Sequence, residues 1–118
     1  MSRRTDRVAD LLRREISEVI RVEVDDPRVK LASASSVDVS PDLRRALVRI
    51  SVLGESDDQR QALRALSRAA GFVRSRLARR LRQMKRLPEL TFELDRGAEF
   101  SDSIDRLLES LHDEDQSS

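Results

Sequence analysis

Between Arg60 and Pro88 the chain carries ten basic residues and no acidic one. Nine of the ten are arginine, whose planar fork of donors pairs bidentately with phosphate or carboxylate. Arg60, Arg64 and Arg68 step by four. Arg76 and Arg80 repeat that step beyond Gly71, joined by Arg74, Arg79, Arg82, Lys85 and Arg86. A solvated helix face is the plain alternative, since arginine stems cover apolar surface. Such faces usually interleave acids for i,i+4 pairs, and here none is present. The acidic C-terminal stretch could instead fold across the block and neutralise it. Binding of a polyanion is the reading that fits best.

Other chemistry has little to work with. The single histidine, His112, falls in a stretch free of apolar residues, where nothing would orient it. There is no cysteine and no tyrosine, so neither a thiolate nucleophile nor a Cys-ligated metal site is available. Asp25-Asp26 and Asp57-Asp58 could hold a metal on paper. Both pairs sit at element boundaries, where carboxylates form turns or meet a helix dipole, and that is their expected role. Three glycines, Gly54, Gly71 and Gly97, do not make a phosphate-cradling loop. No catalytic residue, metal, cofactor or small-molecule substrate is expected.

With 118 residues and 38% apolar content the chain fits one small domain. No apolar run is long enough to span a bilayer, and the mixed-charge start MSRRTDRVAD does not read as a signal peptide. A soluble, cytoplasmic protein is therefore expected. Its net charge of +1 hides segregation, because residues 89–118 hold ten acids against two bases. Phe72, Phe92 and Phe100 are the only aromatics, and Phe92 belongs on the core side of a strand. Without tyrosine or tryptophan platforms, recognition would rest on phosphates and shape. Structured RNA fits that description. A membrane surface fits less well, for want of large exposed apolar anchors beside the arginines.

The elements that must carry these residues are legible. Val8, Leu11, Leu12, Ile16, Val19 and Ile20 form one helical stripe, with Thr5 or Asp6 as N-cap, stopped by Asp25-Asp26-Pro27. From Leu31 to Ser40 the odd positions Leu31, Ser33, Ser35, Val37 and Val39 are expected on one strand face. After the turn Ser40-Pro41-Asp42, Ala46, Val48, Ile50 and Val52 alternate as a second strand, completing an antiparallel hairpin. Helical spacing runs from the acids after Gly54 to about Lys85, through Leu63, Leu66, Ala70, Val73, Leu77, Leu81 and Met84. Unbroken, that helix would be about 43 Å long, so a kink is expected at Ala69-Ala70-Gly71. Tight packing or positive φ at Gly71 should make Gly71→Ala destabilising. Arg76, Arg79 and Arg80 lie off the apolar stripe, so their charge should be reversible without harm to the fold. Leu90, Phe92 and Leu94 form a third strand after Pro88. Ser101-Asp102 can cap a short last helix with Ile104, Leu107, Leu108 and Leu111.

In order and spacing, the segments Arg7-Val8, Asp26-Pro27-Arg28, Val37-Asp38-Val39-Ser40-Pro41-Asp42, Val52-Leu53-Gly54, Ala70-Gly71-Phe72-Val73-Arg74 and Pro88-Glu89-Leu90-Thr91-Phe92 resemble the bacterial ribosome-binding factor A family. The resemblance implies an α+β, two-layer, type II KH-like domain of order α-β-β-α-kink-α-β with a short C-terminal helix. The single domain would cover residues 1–111, leaving 112–118 as a disordered acidic tail. In this family an Ala-x-Gly kink replaces the GxxG loop of ordinary KH domains, and Ala69-Ala70-Gly71 matches that kink. It further implies a non-catalytic, monomeric factor for assembly of the 30S subunit and maturation of 16S rRNA, associated with growth in the cold. The RNA-binding residues would be Arg64, Arg68, Ala69, Gly71, Arg74, Arg76, Arg79, Arg80, Arg82, Lys85 and Arg86. The alternative is a protein–protein module whose arginine-rich helix docks an acidic partner.

Overall fold

The computed structural model describes residues 3–96. The chain runs through α1 (Arg3–Val22), a 3-10 turn (Pro27–Val29), β1 (Ala32–Val39), β2 (Arg45–Val52), α2 (Ser56–Arg68), α3 (Ala70–Arg80) and β3 (Glu89–Leu94). This is the α+β order expected, with a three-stranded sheet in the order β1-β2-β3. The expected helix from Ser101, the tail 112–118, Phe100 and His112 lie outside the described residues.

Helix α1 buries Leu12, Ile16, Val19 and Ile20, the centre of the stripe read from the sequence. Full burial of one such side chain is worth about 1.5–3 kcal/mol, so this face fixes α1 on the sheet. The helix begins further upstream than expected. Thr5 lies within α1 and is buried, so neither Thr5 nor Asp6 is its N-cap. After α1 the Asp26 carboxylate accepts the Arg28 backbone N–H at 2.9 Å and caps the 3-10 turn that Pro27 opens.

Strands β1 and β2 form the antiparallel hairpin, but β1 changes phase at a bulge between Ala34 and Ser36. Ala34, Val37 and Val39 are buried, whereas Leu31, Ser33 and Ser35 are exposed. The expected odd-numbered face is therefore corrected: it holds only beyond the bulge, because one extra residue reverses the alternation. The Ser17 hydroxyl on α1 satisfies the disturbed backbone, accepting the Ala34 N–H at 3.0 Å and donating to the Ala34 carbonyl at 3.4 Å. In the turn, Asp42 Oδ1 accepts the Ser40 hydroxyl at 2.6 Å and the Arg44 N–H at 3.1 Å.

Strand β3 pairs parallel with β2, Ala46 opposite Leu90 and Val48 opposite Phe92. A parallel neighbour needs a crossover, and α2 and α3 supply it. Their buried residues, Ala62, Ala65 and Leu66 on α2 and Val73 and Leu77 on α3, join Val48, Ile50 and Phe92 in the core.

Candidate nucleic-acid interface

The acid pair Asp57-Asp58 opens α2. Asp58 Oδ2 accepts the Glu55 backbone N–H at 3.1 Å, and Asp57 pairs with Arg60 one turn on. Both acidic pairs of the sequence thus supply caps or dipole partners. Among the described residues no group of three or more His, Asp or Glu side chains could hold a metal ion. Gly54, just ahead, has φ +130°, and a Cβ there would come within 3.0 Å of the Asp58 side chain. That turn requires glycine.

Arg64 and Arg68 project from the face of α2 opposite its buried residues. The helix stops at Ala69, whose φ of −88° and ψ of 5° fall in the bridge region open to any L-residue. The Ala69 N–H still donates to the Ala65 carbonyl at 3.0 Å, and its carbonyl accepts the Val73 N–H at 2.8 Å. One residue therefore re-aims the chain without orphaning its own backbone groups, and no side chain caps the start of α3. The break falls where the sequence placed it, but the expected role of Gly71 is overturned. A Cβ at Gly71 would meet no heavy atom within 4 Å, and the residue has no positive φ. Neither close helix packing nor strain demands glycine there.

Helix α3 ends at Arg80 and does not continue to Lys85. Leu81 and Leu87 are buried and Met84 is half-buried from an irregular segment, 81–88. Their helical spacing in the sequence reflects anchoring to the core and not helical backbone. Within a continued helix Arg79, Arg82 and Arg86 would crowd like charges at i,i+3 and i,i+4 spacing, which leaving the helix relieves. Arg74 Nη2 donates to the Leu87 carbonyl at 2.8 Å and ties this segment to α3. Between them lies a cleft of about 410 Å³ lined by Gly71, Arg74, Ser75, Ala78, Met84, Lys85, Arg86 and Leu87.

The arginines on the other flank of α3 have internal partners. Arg80 Nε donates to Glu23 Oε2 at 2.8 Å and Arg80 Nη1 to Glu15 Oε2 at 3.3 Å; Arg76 Nε lies 3.7 Å from Glu23 Oε1. The Glu23 hydrogen bond pushes the Arg80 guanidinium above its already high pKa. Arg76 also lies over the Phe72 ring, 4.9 Å from its centroid. The fold-neutral reversal expected for Arg76 and Arg80 is corrected accordingly, since acids there would face Glu15 and Glu23. Among the described residues, Arg64, Arg68, Arg79, Arg82, Lys85 and Arg86 are all solvent-accessible and make no ion pair.

The eleven residues singled out from sequence thus divide. Gly71, Arg74, Lys85 and Arg86 meet at the cleft; Arg64, Arg68, Arg79 and Arg82 stand in solvent; Ala69 makes the break; Arg76 and Arg80 turn to α1. Sequence reasoning missed Glu15 and Glu23. Their spacing of eight in the sequence, continuing past the end of α1 and bordering the stripe of Ile16, Val19 and Ile20, was the available signal.

This arrangement sits in a fold with known counterparts. The family model described as Ribosome-binding factor A matches residues 4–108. The chain belongs to the ribosome-binding factor A family. The relative from Roseiflexus sp. (strain RS-1) is 43% identical over 114 residues, which cover 97% of this chain and 88% of the relative. The relative from Solibacter usitatus is 45% identical over 106 residues, covering 90% of this chain and 85% of its own. The crystal structure of ribosome-binding factor A from Thermus thermophilus superposes with a TM-score of 0.68 at 35% identity, covering 79% of this chain and 98% of that one. A homology model of the Thermus thermophilus factor, fitted into the cryo-EM map of its 30S complex, matches with a TM-score of 0.62 at 38% identity, covering 74% of this chain and 90% of that one. The α+β, KH-like order expected from the resemblance is the one found.

Proposed function

We propose that this chain is a non-catalytic, monomeric assembly factor of the 30S ribosomal subunit, acting in the cytoplasm during 16S rRNA processing and maturation. Its contact with 16S rRNA is assigned to the cationic surface around the α2–α3 break. Arg64 and Arg68 hold phosphates from α2. Arg74, Lys85 and Arg86 hold them around the cleft, with Arg79 and Arg82 at its margin. The observation that carries this reading is six solvent-accessible cations without ion pairs, among the described residues, on α2, α3 and the segment 81–88, two of which, Lys85 and Arg86, line a cleft with Gly71 and Arg74. Family membership and the 30S complex of the Thermus thermophilus factor support it. No helix among the described residues is long and apolar enough to cross a membrane.

Sucrose-gradient sedimentation of cell extract tests the proposal. The protein should migrate with free small subunits and not with 70S ribosomes, and absence from the small-subunit fraction would overturn the reading. Binding to naked 16S rRNA should be strongly salt-dependent. If about five cations reach phosphates, log K falls with log salt at a slope of about −4. A flat response would point to an acidic protein partner instead.

A further inference from the structure

We propose that Phe72 is a stacking platform for one unpaired base, so that the RNA held at this surface is single-stranded at that point. This rests on the RNA-binding reading above and goes beyond it, since that reading needs phosphates alone. Phe92 is 5% exposed in the core, while Phe72 is 40% exposed in the first turn of α3. The ring is also held in place. Arg76 lies 4.9 Å from its centroid, and that guanidinium is itself held by Glu23 at 3.7 Å. A ring held by a cation and still two-fifths exposed loses little freedom when a base settles on its exposed part.

The surroundings suit a nucleotide. Arg79, seven residues on, occupies nearly the same face of α3, about 10 Å along the axis. It is exposed and makes no ion pair among the described residues, so a backbone phosphate can meet it while the base meets the ring. One residue before the ring, a Cβ at Gly71 would meet no atom within 4 Å apart from its chain neighbours and its own helix backbone, so a sugar–phosphate chain can pass close to the helix there. An acidic peptide would use the cations but has no need of an exposed aromatic ring. A base uses both, and every base has a π-face.

The chain has no tryptophan and no tyrosine, so Phe72→Trp creates a single reporter at the site. The protein is titrated with a fluorescein-labelled ten-nucleotide oligoadenylate and, separately, with an RNA duplex of equal length. Anisotropy of the label reports binding, and tryptophan emission reports stacking. The proposal expects tryptophan emission to be quenched in step with oligoadenylate binding and unchanged by the duplex. Phe72→Leu should weaken oligoadenylate about tenfold and leave duplex affinity unaltered, with Phe72→Tyr restoring the single-strand affinity. Oligoadenylate that binds without quenching, or a leucine variant that binds as the original does, overturns the stacking role and leaves the phosphate-binding reading intact. If the duplex and 16S rRNA bind but oligoadenylate does not, the platform is also refuted. If no RNA binds, the parent reading fails and the platform falls with it.

Discussion

Arg80 and Lys85 belong to the same acid-free block, five residues apart. Arg80 contacts Glu15 of α1 and Glu23 just past its end, whereas Lys85 stands in solvent beside a cleft. Nothing in the block itself distinguishes the two. The difference comes from the neighbouring element: α1 and the turn that follows it bring Glu15 and Glu23 against one flank of α3, whereas the charged residues of segment 81–88 are all further cations. Local charge counting therefore measures how much cation is present, while packing decides how much remains for a ligand.

The largest expected effect breaks the exposed side. Replacing Arg82, Lys85 and Arg86 together by glutamine should weaken 16S rRNA binding by about 100-fold at moderate salt. The salt slope should become about three less negative, one for each phosphate no longer neutralised. The melting temperature should hold, because all three side chains reach solvent and make no ion pair among the described residues. Unchanged binding by filter retention would mean the two flanks of α3 are equivalent after all.

Gly54→Ala separates a folding defect from a binding defect. It should cost about 2 kcal/mol in urea unfolding, since φ is +130° and the new Cβ would press on the Asp58 side chain. At salt and temperature where the variant is folded, its rRNA affinity should be unchanged. Gly71→Ala provides the contrast, with stability expected to change by less than about 0.5 kcal/mol, because the site is open.

The paired flank can be sharpened by releasing it. In the double variant Glu15→Gln with Glu23→Gln, Arg76 and Arg80 lose their counterions and gain freedom to meet phosphate. Stability should fall by no more than about 1 kcal/mol, because these side chains are about a third exposed and solvent screens the pairs. Affinity for rRNA should rise about fivefold and the salt slope should steepen by up to about two. A slope that stays put would show that these arginines are out of reach of RNA for geometric reasons.

The smallest effect concerns an ion pair with no part in either flank. The Arg28 side chain and backbone N–H hold the pKa of the Asp26 carboxyl at about 2. A carboxyl depressed in the folded state stabilises above its ordinary unfolded value near 4, and that contribution fades as pH falls toward 2. The melting temperature of Asp26→Asn should therefore lie slightly below the original at pH 7, with the gap closing as pH falls from about 4 to about 2. A gap constant across that window would assign the loss to the turn's shape and not to the charge.

Much of this architecture is legible from residue order. The α1 stripe, the Asp-Pro stop and the alternation of Ala46, Val48 and Ile50 follow from local stereochemistry and period, while the break near Gly71 follows from the length an unbroken helix would have. Three features are not local. The bulge at Ser35 depends on a hydroxyl from Ser17 that satisfies Ala34 across the layers. The end of α3 depends on where Leu81 and Leu87 find the core, and with Met84 between them they keep steps of three while leaving the helix. The fate of Arg76 and Arg80 depends on α1, more than fifty residues earlier in the chain. The cationic block itself is plain in the sequence; its division into paired and open halves is not.

The parallel pairing of Arg45 with Glu89 has a consequence in time. The β1–β2 hairpin closes through a short turn at Ser40 to Arg44, at little entropic cost. β3 can dock only after a chain holding both crossover helices has been gathered in, and pairings of such long reach form slowly. The segment that carries Arg82, Lys85 and Arg86 is strung between α3 and that late-docking strand. During synthesis, then, the hairpin of a growing chain can close before its cleft is complete.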